Sequence, residues 1–501
     1  MQNETMKKTH RYGLALALIL PGVLSASEPR KPAVPPNIIV FMPDDLASAA
    51  LGCYGNQVIK TPAFDRLARG GMRFENAFTT NSYCTPARAT LLTGKYSHKN
   101  GTLKLNETFN GGQQTYPKVL QQAGYQTALF GKWHLGSQPT GFEYYCVFKS
   151  QGGHWNTTVY ETGEKWIPWS PTSDEWREGG RILPGNTDDG FTELALAWLK
   201  GRDPNKPFCL LLHPKSPHGP YQPATRYKDY LAGTTVPEPV TLQDDYAGRT
   251  PKAVENIMIS NRLAAAPRFL EKLTKDERAT MTRAEITTRI YQEHFIKKYY
   301  QLVKGVDDNL ARLLDFLDAN ALTENTIVLC TTDNGFFMGE HGFFDKMWMY
   351  EPSIHVPLIV RYPPLIKPAA VNPSLVSHID FAPTLLDLAG LQIPAEMQGK
   401  SLKPVLDGSA AKVNDSFYYH LYMHTPAIPE IVGVRTDRYK LIGYPGMKEA
   451  YQWELFDLSK DSGEMRNLYN HPDYQEIQSR MKAELRAAIK GYGDPVVLPA
   501  L

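Results

Sequence analysis

Pro36-Asn37-Ile38-Ile39-Val40-Phe41-Met42-Pro43-Asp44-Asp45 decides how this chain is read. The stretch from Asn37 to Met42 is almost wholly apolar and rich in β-branched residues, without the polar alternation of a half-exposed strand. It predicts a strand buried on both faces, with two carboxylates directly after it. The pattern recurs. Phe208-Cys209-Leu210-Leu211-Leu212-His213 and Thr326-Ile327-Val328-Leu329-Cys330-Thr331 predict buried strands, as does Pro357-Leu358-Ile359-Val360. Between them, helical periodicity covers Tyr116 to Ala123, Phe191 to Lys200 and Ile290 to Ala319. Strands alternating with helices imply an α/β sandwich, a large mostly parallel sheet flanked by helices. In such sheets ligands gather beyond the carboxyl ends of strands. There stand the residues with chemistry to offer: Asp44-Asp45 after the first strand, Lys215-Ser216-Pro217-His218 after another, and Asp333-Asn334 after a third.

Upstream, residues 28–36 form a proline-rich lead that cannot hold regular structure. Before it, Lys7, Lys8 and Arg11 precede the apolar run Leu14 to Leu20, and Ser25-Ala26-Ser27 offers small residues for cleavage. Residues 1–27 therefore predict an export signal, with the mature protein in the periplasm or secreted. A membrane span is not expected, because the run falls short of the ~20 apolar residues a span needs. Downstream, residues 37–395 read as one large domain. Within it, 221–289 are polar and rich in Thr, Arg and Lys, and predict an insertion carrying helices over the pocket rim. From 396 to 501 the character changes to a smaller C-terminal subdomain: Gly433 to Ile442 and Trp453 to Leu458 predict antiparallel strands, and Tyr474 to Lys490 an amphipathic helix.

At 501 residues with 42 % hydrophobic and 21 % charged content, the chain can bury a large core and a second, smaller one. The formal net charge is +2, and Lys7, Lys8 and Arg11 against Glu4 account for it, so the remainder is close to neutral. That balance provides no whole-molecule field for nucleic acid or an anionic membrane, and any attraction for a polyanion must be local. The five cysteines, Cys53, Cys84, Cys146, Cys209 and Cys330, show no close metal-ligand spacing. Cys209 and Cys330, inside strand-like runs, predict buried thiols; up to two disulfides stay open without Cys84.

Cys84-Thr85-Pro86-Ala87-Arg88, followed by Ala89-Thr90-Leu91-Leu92-Thr93-Gly94, resembles the signature of the type I sulfatases. Other matches follow the family's order: the opening stretch, Gly131-Lys132-Trp133-His134-Leu135-Gly136, Lys215-Ser216-Pro217-His218, Thr331-Thr332-Asp333-Asn334-Gly335, and Gly339-Glu340-His341-Gly342-Phe343-Phe344-Asp345-Lys346. The resemblance implies an alkaline-phosphatase-like fold. It further implies that a maturation enzyme oxidises Cys84 to formylglycine, whose hydrate attacks sulfur. Asp44, Asp45, Asp333 and Asn334 would hold one cation together with a formylglycine oxygen. The oxygen set suits Ca²⁺ first and Mg²⁺ second. Arg88 would sit one turn from Cys84 on a helix beginning at Pro86. Lys132 and Lys346 would bind sulfate, His134 would take a proton from the second hydroxyl of the hydrate, and His218 would protonate the departing sugar oxygen. Lys132 and His134 alternate after Tyr125 to Phe130, so an extended segment points both to one face. Lys215 reads equally as a substrate contact or a solvated rim lysine. Taken singly, Asp44-Asp45 would be a helix cap, Asp333-Asn334-Gly335 a tight turn and each histidine structural.

Phe109 to Pro117 and Met349-Tyr350-Glu351-Pro352-Ser353 through Arg361-Tyr362-Pro363 look similar to sulfatases that remove 6-O-sulfate from glucosamine or N-acetylglucosamine in glycosaminoglycans. Asp345 matches the sugar-reading residue there, whereas Met347 stands where a basic residue often follows. His420 and His424, in Tyr418-Tyr419-His420-Leu421-Tyr422-Met423-His424, are either sugar contacts or parts of an aromatic strand packed in the subdomain. The expectation is an exported carbohydrate sulfatase. The alternatives are a sulfatase for galactose, uronic acid or an algal glycan, a phosphate or phosphonate ester hydrolase of the same fold, and a non-catalytic sugar-binding protein.

Overall fold

The computed structural model describes Met1 and residues 34–254, 262–422 and 428–499. The expected export signal and most of the lead lie outside the described residues. In chain order the strands are β1 (Asn37–Phe41), β2 (Met72–Phe78), β3 (Gln126–Lys132), β4 (Tyr144–Phe148), β5 (Trp155–Glu161), β6 (Arg181–Asn186), β7 (Phe208–His213) and β8 (Thr326–Cys330). They continue as β9 (Phe337–Met338), β10 (Phe344–Asp345), β11 (Leu358–Arg361), β12 (Ala370–Ser377), β13 (Phe417–Leu421), β14 (Ile431–Arg435), β15 (Tyr439–Gly443) and β16 (Trp453–Asp457).

One ten-stranded sheet has the order β12-β2-β11-β8-β1-β7-β3-β4-β5-β6. Its centre, β8-β1-β7-β3-β4, is parallel throughout. The expected strand near Val360 is present as β11, antiparallel to both neighbours, and β5 and β6 also run antiparallel, so the sheet is mixed around a parallel middle. Successive side chains of a strand face opposite sides, and the apolar runs divide accordingly. Ile39, Phe41, Leu210, Leu212, Val328 and Cys330 pack towards the helices Pro62–Arg69, Thr187–Gly201 and Ile296–Ala319. Ile38, Val40, Met42, Cys209, Leu211 and Leu329 pack towards Cys84–Thr93, Tyr116–Gln122 and Phe381–Leu388. Each such side chain contributes roughly 1.5–3 kcal/mol on leaving water, so the central strands are held from both faces. Cys209 and Cys330 are buried thiols, and the disulfide option falls: all five cysteines are free.

The long helix begins later than its periodicity predicts. Ile290–Phe295 is a π-helical turn before the α-helix Ile296–Ala319. The wider turn carries Phe295 into a ring cluster with Tyr291, Tyr299, Phe336 and Phe344, a contact that periodicity alone cannot register. The stretch 221–289 forms short helices at Thr250–Ala253, Pro267–Leu270, Lys275–Thr280 and Arg283–Arg289. At the C-terminus, β13-β14-β15-β16 make a separate antiparallel sheet, and the run Gly433 to Ile442 is two of its strands joined by a turn. The helix Gln475–Tyr492 covers one face through Met481 and Leu485. The other face meets Trp348, Met349, Tyr350 and Ile354 of the large domain. Among the described residues no helix is long and apolar enough to cross a membrane.

Candidate active site

The parallel centre of the sheet delivers its carboxyl ends to one place. There a cleft of about 600 Å³, its open mouth included, is lined among others by Asp45, Cys84, Gln151, His218, Arg268 and Lys346. Arg268 and Tyr221 reach it from the stretch predicted to cover the rim.

Cys84 opens a helix, Cys84–Thr93, all ten residues of which are buried. The helix starts two residues before the expected Pro86. Pro86 lies in the first turn, where its missing N–H leaves no bond unmade. Arg88 stands four residues on, on the same face. Its Nε donates to Asp333 Oδ2 at 3.0 Å, its Nη1 to the Lys132 carbonyl at 2.9 Å, and its Nη2 lies 3.4 Å from Asp44 Oδ1. The guanidinium therefore ties three strand ends together beneath the cysteine.

Around Cys84 the floor is ionic. Its Sγ lies 3.6 Å from Asp44 Oδ1, and ligand atoms of Asp44, Asp45 and Cys84 all lie within 4.8 Å of one another. Lys132 Nζ donates to Asp44, and Lys346 Nζ to both oxygens of Asp45. Asn334 Nδ2 donates to Asp45 Oδ1 at 2.7 Å, while Asn334 Oδ1 is buried with no partner. Asp45 takes a left-handed φ of 64°, held by its N–H to Asp333 Oδ1 and by the Tyr299 hydroxyl donating to its carbonyl. Burial, against the pull of Lys346 and with the nearby Asp44 and Asp333 charges, pushes the Asp45 carboxyl up to about 7. Burial works against ionisation of Asp44 too, yet Lys132, His218 and Arg88 hold it well below the ordinary carboxylate range. Three crowded carboxylates, with the Asn334 amide beside them, form a hard donor set that fits a Ca²⁺- or Mg²⁺-type cation, which would draw the amide oxygen round in place of the nitrogen. Burial also pushes the Cys84 thiol up to about 12, against the pull of Lys132 and Lys346, so the unmodified side chain is a neutral thiol and a poor nucleophile.

Glycines explain two of the motifs. At Gly131, with φ +105°, a Cβ would fall 2.0 Å from the His213 carbonyl, so β3 can approach β7 here only without a side chain. At Gly335 a Cβ would meet the Pro352 carbonyl at 2.3 Å. The extended alternation expected of Lys132 and His134 stops short, because β3 ends at Lys132 and His134 takes φ 53°. His134 is nonetheless buried near Lys132 and Arg88, with both ring nitrogens unpaired; burial and those cations hold it neutral.

His218 Nδ1 contacts the Gly219 carbonyl at 2.6 Å, which makes Nδ1 the donor and turns Nε2, 3.7 Å from Asp45 Oδ2, to the cleft. Lys215 is fully buried with its ammonium on the Gly219 carbonyl, so the rim-lysine reading falls. Burial, then Lys132, bring its ammonium down to about 8. Asp345 and Met347 line the cleft on either side of Lys346, both left-handed, with φ 81° and 92°. His420 is a correction. It is buried in the subdomain with Nδ1 on Asp494 and Nε2 on Glu430, each at 2.9 Å, because those carboxylates satisfy it more fully than a solvated sugar site would. His424 lies outside the described residues.

Three contributors went unread in the sequence. Asp188, at the start of the helix Thr187–Gly201, accepts the N–H groups of Lys215 and Ser216 and so fixes the loop that carries His218. Gln151 Oε1 accepts from Lys132 Nζ at 3.0 Å. Tyr419 on β13 takes the Ser82 N–H at 3.3 Å and gives its hydroxyl to the Met347 carbonyl at 3.0 Å. It thereby staples the loop before Cys84 to the strained segment bearing Lys346. The pairs lie apart in sequence, and only Asp188, an acidic residue three positions before the helix predicted from Phe191, left any local signal.

A buried floor of alternating carboxylates and ammonium groups beyond the strand ends, with one histidine at its wall, defines a hydrolase for an anionic ester. The chain belongs to the sulfatase family: that family's profile matches residues 36–391, and a profile described as N-sulphoglucosamine sulphohydrolase, C-terminal, matches 339–491. It is a sulfuric ester hydrolase with the alkaline-phosphatase-like fold of its relatives. It is 36 % identical to an N-acetylglucosamine-6-O-sulfatase of Bacteroides thetaiotaomicron, over 98 % of this chain and 93 % of that protein. An ulvan-active sulfatase of Formosa agariphila is 26 % identical over 92 % of this chain and 81 % of its own length. Among solved structures, a protein in complex with its substrate D-glucosamine-2-N,6-O-disulfate superposes with a TM-score of 0.81 at 34 % identity, covering 92 % of this chain and 99 % of that one.

Proposed function

We propose that this chain hydrolyses the 6-O-sulfate ester of (N-acetyl)glucosamine units in glycosaminoglycan fragments, releasing sulfate and the free hydroxyl. The observation that carries the reading is the cleft floor itself, where Cys84 stands against Asp44 with Lys132 and Lys346 beside it. The likeness to relatives named for glucosamine sulfates supports the choice of sugar. A divalent cation, Ca²⁺ first and Mg²⁺ second, held by Asp44, Asp45, Asp333 and Asn334, would supply positive charge for the sulfate oxygens. Conversion of Cys84 to formylglycine by a maturation enzyme would supply an aldehyde hydrate as nucleophile, which a neutral thiol cannot replace.

The remaining work falls to side chains already in place. Lys132 and Lys346 offer ammonium groups to the sulfate once it enters. The Gly219 carbonyl keeps the proton of His218 Nδ1 in place, so the second proton, which the imidazole must take up before the leaving group departs, sits on Nε2 and is passed from there to the leaving sugar oxygen. His134, with two unpaired nitrogens, is the acceptor for the proton that leaves when sulfate is expelled. Arg88 holds Asp333, Asp44 and the Lys132 carbonyl in register. Asp345 reads sugar hydroxyls, while Met347 presents a thioether on the wall. Residues 1–27 direct export to the periplasm or beyond. A panel of defined sulfated sugars tests the reading: 6-O-sulfated glucosamine units should turn over fastest, and buried polar groups should reject the galactosamine epimer strongly. Preference for 4-O-sulfated galactose, sulfated uronic acids or phosphate esters would overturn it.

A further inference from the structure

A second groove adjoins the cleft and shares one wall with it. The loop after β4 begins at the sheet end where Lys132 stands, since Lys132 and Phe148 are paired neighbours on parallel strands. Residues 149–154 of that loop separate two depressions. On one side Gln151 lines the active cleft. On the other, Gln151, Lys149, Asn156 and Thr158 line a groove of about 860 Å³, open mouth included, together with Trp155 and Arg177. The dividing loop is anchored to both catalytic sides: Gln151 accepts from Lys132, and His154 Nε2 lies 2.9 Å from the His218 carbonyl. The groove therefore begins beside His218, the side on which the sugar departs.

Its chemistry is specific. The lining holds two basic residues and no carboxylate. Lys149 Nζ lies 3.8 Å from the Tyr160 ring centre and donates to the Trp176 carbonyl, which holds it buried beneath the groove, where burial brings its ammonium down to about 8. Arg177 stacks over Trp176 at 4.8 Å. Trp155 is 37 % exposed, one of the few large apolar side chains of the described residues left open to solvent. Ser150, Asn156 and Thr158 add hydroxyl and amide groups to the lining. An exposed indole offers a flat face to the C–H side of a sugar ring, amides and hydroxyls meet its hydroxyls, and the exposed Arg177 guanidinium, paired through Nε with Asp174 at 3.3 Å, adds positive charge at the edge for a carboxylate or sulfate.

We propose that this groove is a second sugar subsite, which takes the neighbouring acidic unit of an oligosaccharide whose sulfated residue occupies the cleft. The inference rests on the substrate reading above and extends it: the enzyme acts on chains in preference to free monosaccharides. Continuity through Gln151 and the absence of carboxylates in the lining identify the occupant as more of the same acidic glycan.

The test compares kcat/KM on 6-O-sulfated N-acetylglucosamine with that on a tetrasaccharide bearing the same sulfated unit and an adjacent uronic acid. Wild type should favour the tetrasaccharide. Trp155→Ala should lower that preference by about 3- to 10-fold, as loss of one aromatic platform does, and Arg177→Gln should lower it less. Both variants should keep wild-type rates on the monosaccharide, because neither residue reaches the cleft. Equal rates of wild type on the two sugars, or equal losses on both in the variants, would overturn the subsite. Activity on neither sugar, with a small aryl sulfate still hydrolysed, would overturn the substrate reading and the subsite with it.

Discussion

Two buried clusters of this molecule use the same residue types to opposite ends. The cleft floor gathers Asp44, Asp45, Asp333, His134 and His218; the C-terminal knot gathers His98, His420, Glu430 and Asp494. In the knot every imidazole nitrogen has a partner: His98 meets the Tyr422 hydroxyl and the Tyr492 carbonyl, and His420 meets Asp494 and Glu430. On the floor, both nitrogens of His134 and the Asn334 oxygen have none. Burial without a partner costs about 1–3 kcal/mol per group. The floor carries that cost beside three carboxylates, two lysines and Arg88, where an incoming anion and cation would relieve it. Lack of partners alone does not make a site, since the Trp453 indole nitrogen is also buried without one, beside the Tyr469 ring. The distinguishing feature is unmet hydrogen bonding among crowded, paired charges.

The sharpest way to break the comparison is at Cys84. Cys84→Ala should reduce turnover by about 10⁴-fold or more, as removal of a nucleophile does, while thermal unfolding stays near wild type because Ala fits a buried helix start. Near-normal turnover would mean that the floor is a structural ion cluster like the knot. Next comes His218→Ala. General acid help is worth about 10²–10⁴-fold and matters most for a poor leaving group, so a sugar sulfate should suffer far more than an activated aryl sulfate. Equal losses on the two would remove His218 from the leaving-group side.

Much of this contrast was legible in the chain. The central strands announce themselves as apolar runs, and the acidic pairs, Lys132 and His218 fall where such strands end. The π-turn at Ile290–Phe295, the left-handed backbone at Asp45 and His134, and the tie of Asp188 to the Lys215 loop were not legible, because each depends on a neighbour far away in sequence. His420 shows the same limit in reverse: its tyrosine-rich surroundings suit a sugar site and a core strand equally, and only Asp494, 74 residues on, decides for the core.

Tyr419 lies between the clusters, on the strand that carries His420 but with its hydroxyl bridging Ser82 and Met347. It is a positioning residue. The two left-handed non-glycine residues that flank Lys346, Asp345 and Met347, are each unfavourable, and the Tyr419 hydroxyl on the Met347 carbonyl is one of the bonds that keep them so. Tyr419→Phe should lower kcat about tenfold, short of the ~10² that a 1 Å misplacement can cost, on aryl and sugar sulfates alike. Competitive inhibition by inorganic sulfate should weaken with it. A drop in melting temperature with kcat and sulfate inhibition unchanged would make the bridge purely structural.

The smallest effect belongs to the knot, and it concerns stability. Burial pulls the His420 imidazolium down, but hydrogen bonds and charge from Asp494 and Glu430 outweigh it and leave the group raised. Asp494 moves the other way: burial would raise it, and His420, His98 and Tyr422 hold it well below the ordinary range. A raised histidine stabilises the fold fully below its unfolded value of about 6.5 and loses that contribution as pH rises through the folded value. A depressed carboxylate contributes above its unfolded value of about 3.9 and loses this as pH falls through the folded value. His420→Gln, which keeps neutral hydrogen bonding without the charge, should therefore be less stable than wild type by about 1–3 kcal/mol near pH 6. The gap should narrow as pH rises past the raised His420 value, and kcat and KM on sugar sulfates should stay unchanged throughout. A pH-independent gap would remove the imidazolium from the knot, and a raised KM for the sugar would return His420 to the substrate site and dissolve the distinction between the two clusters.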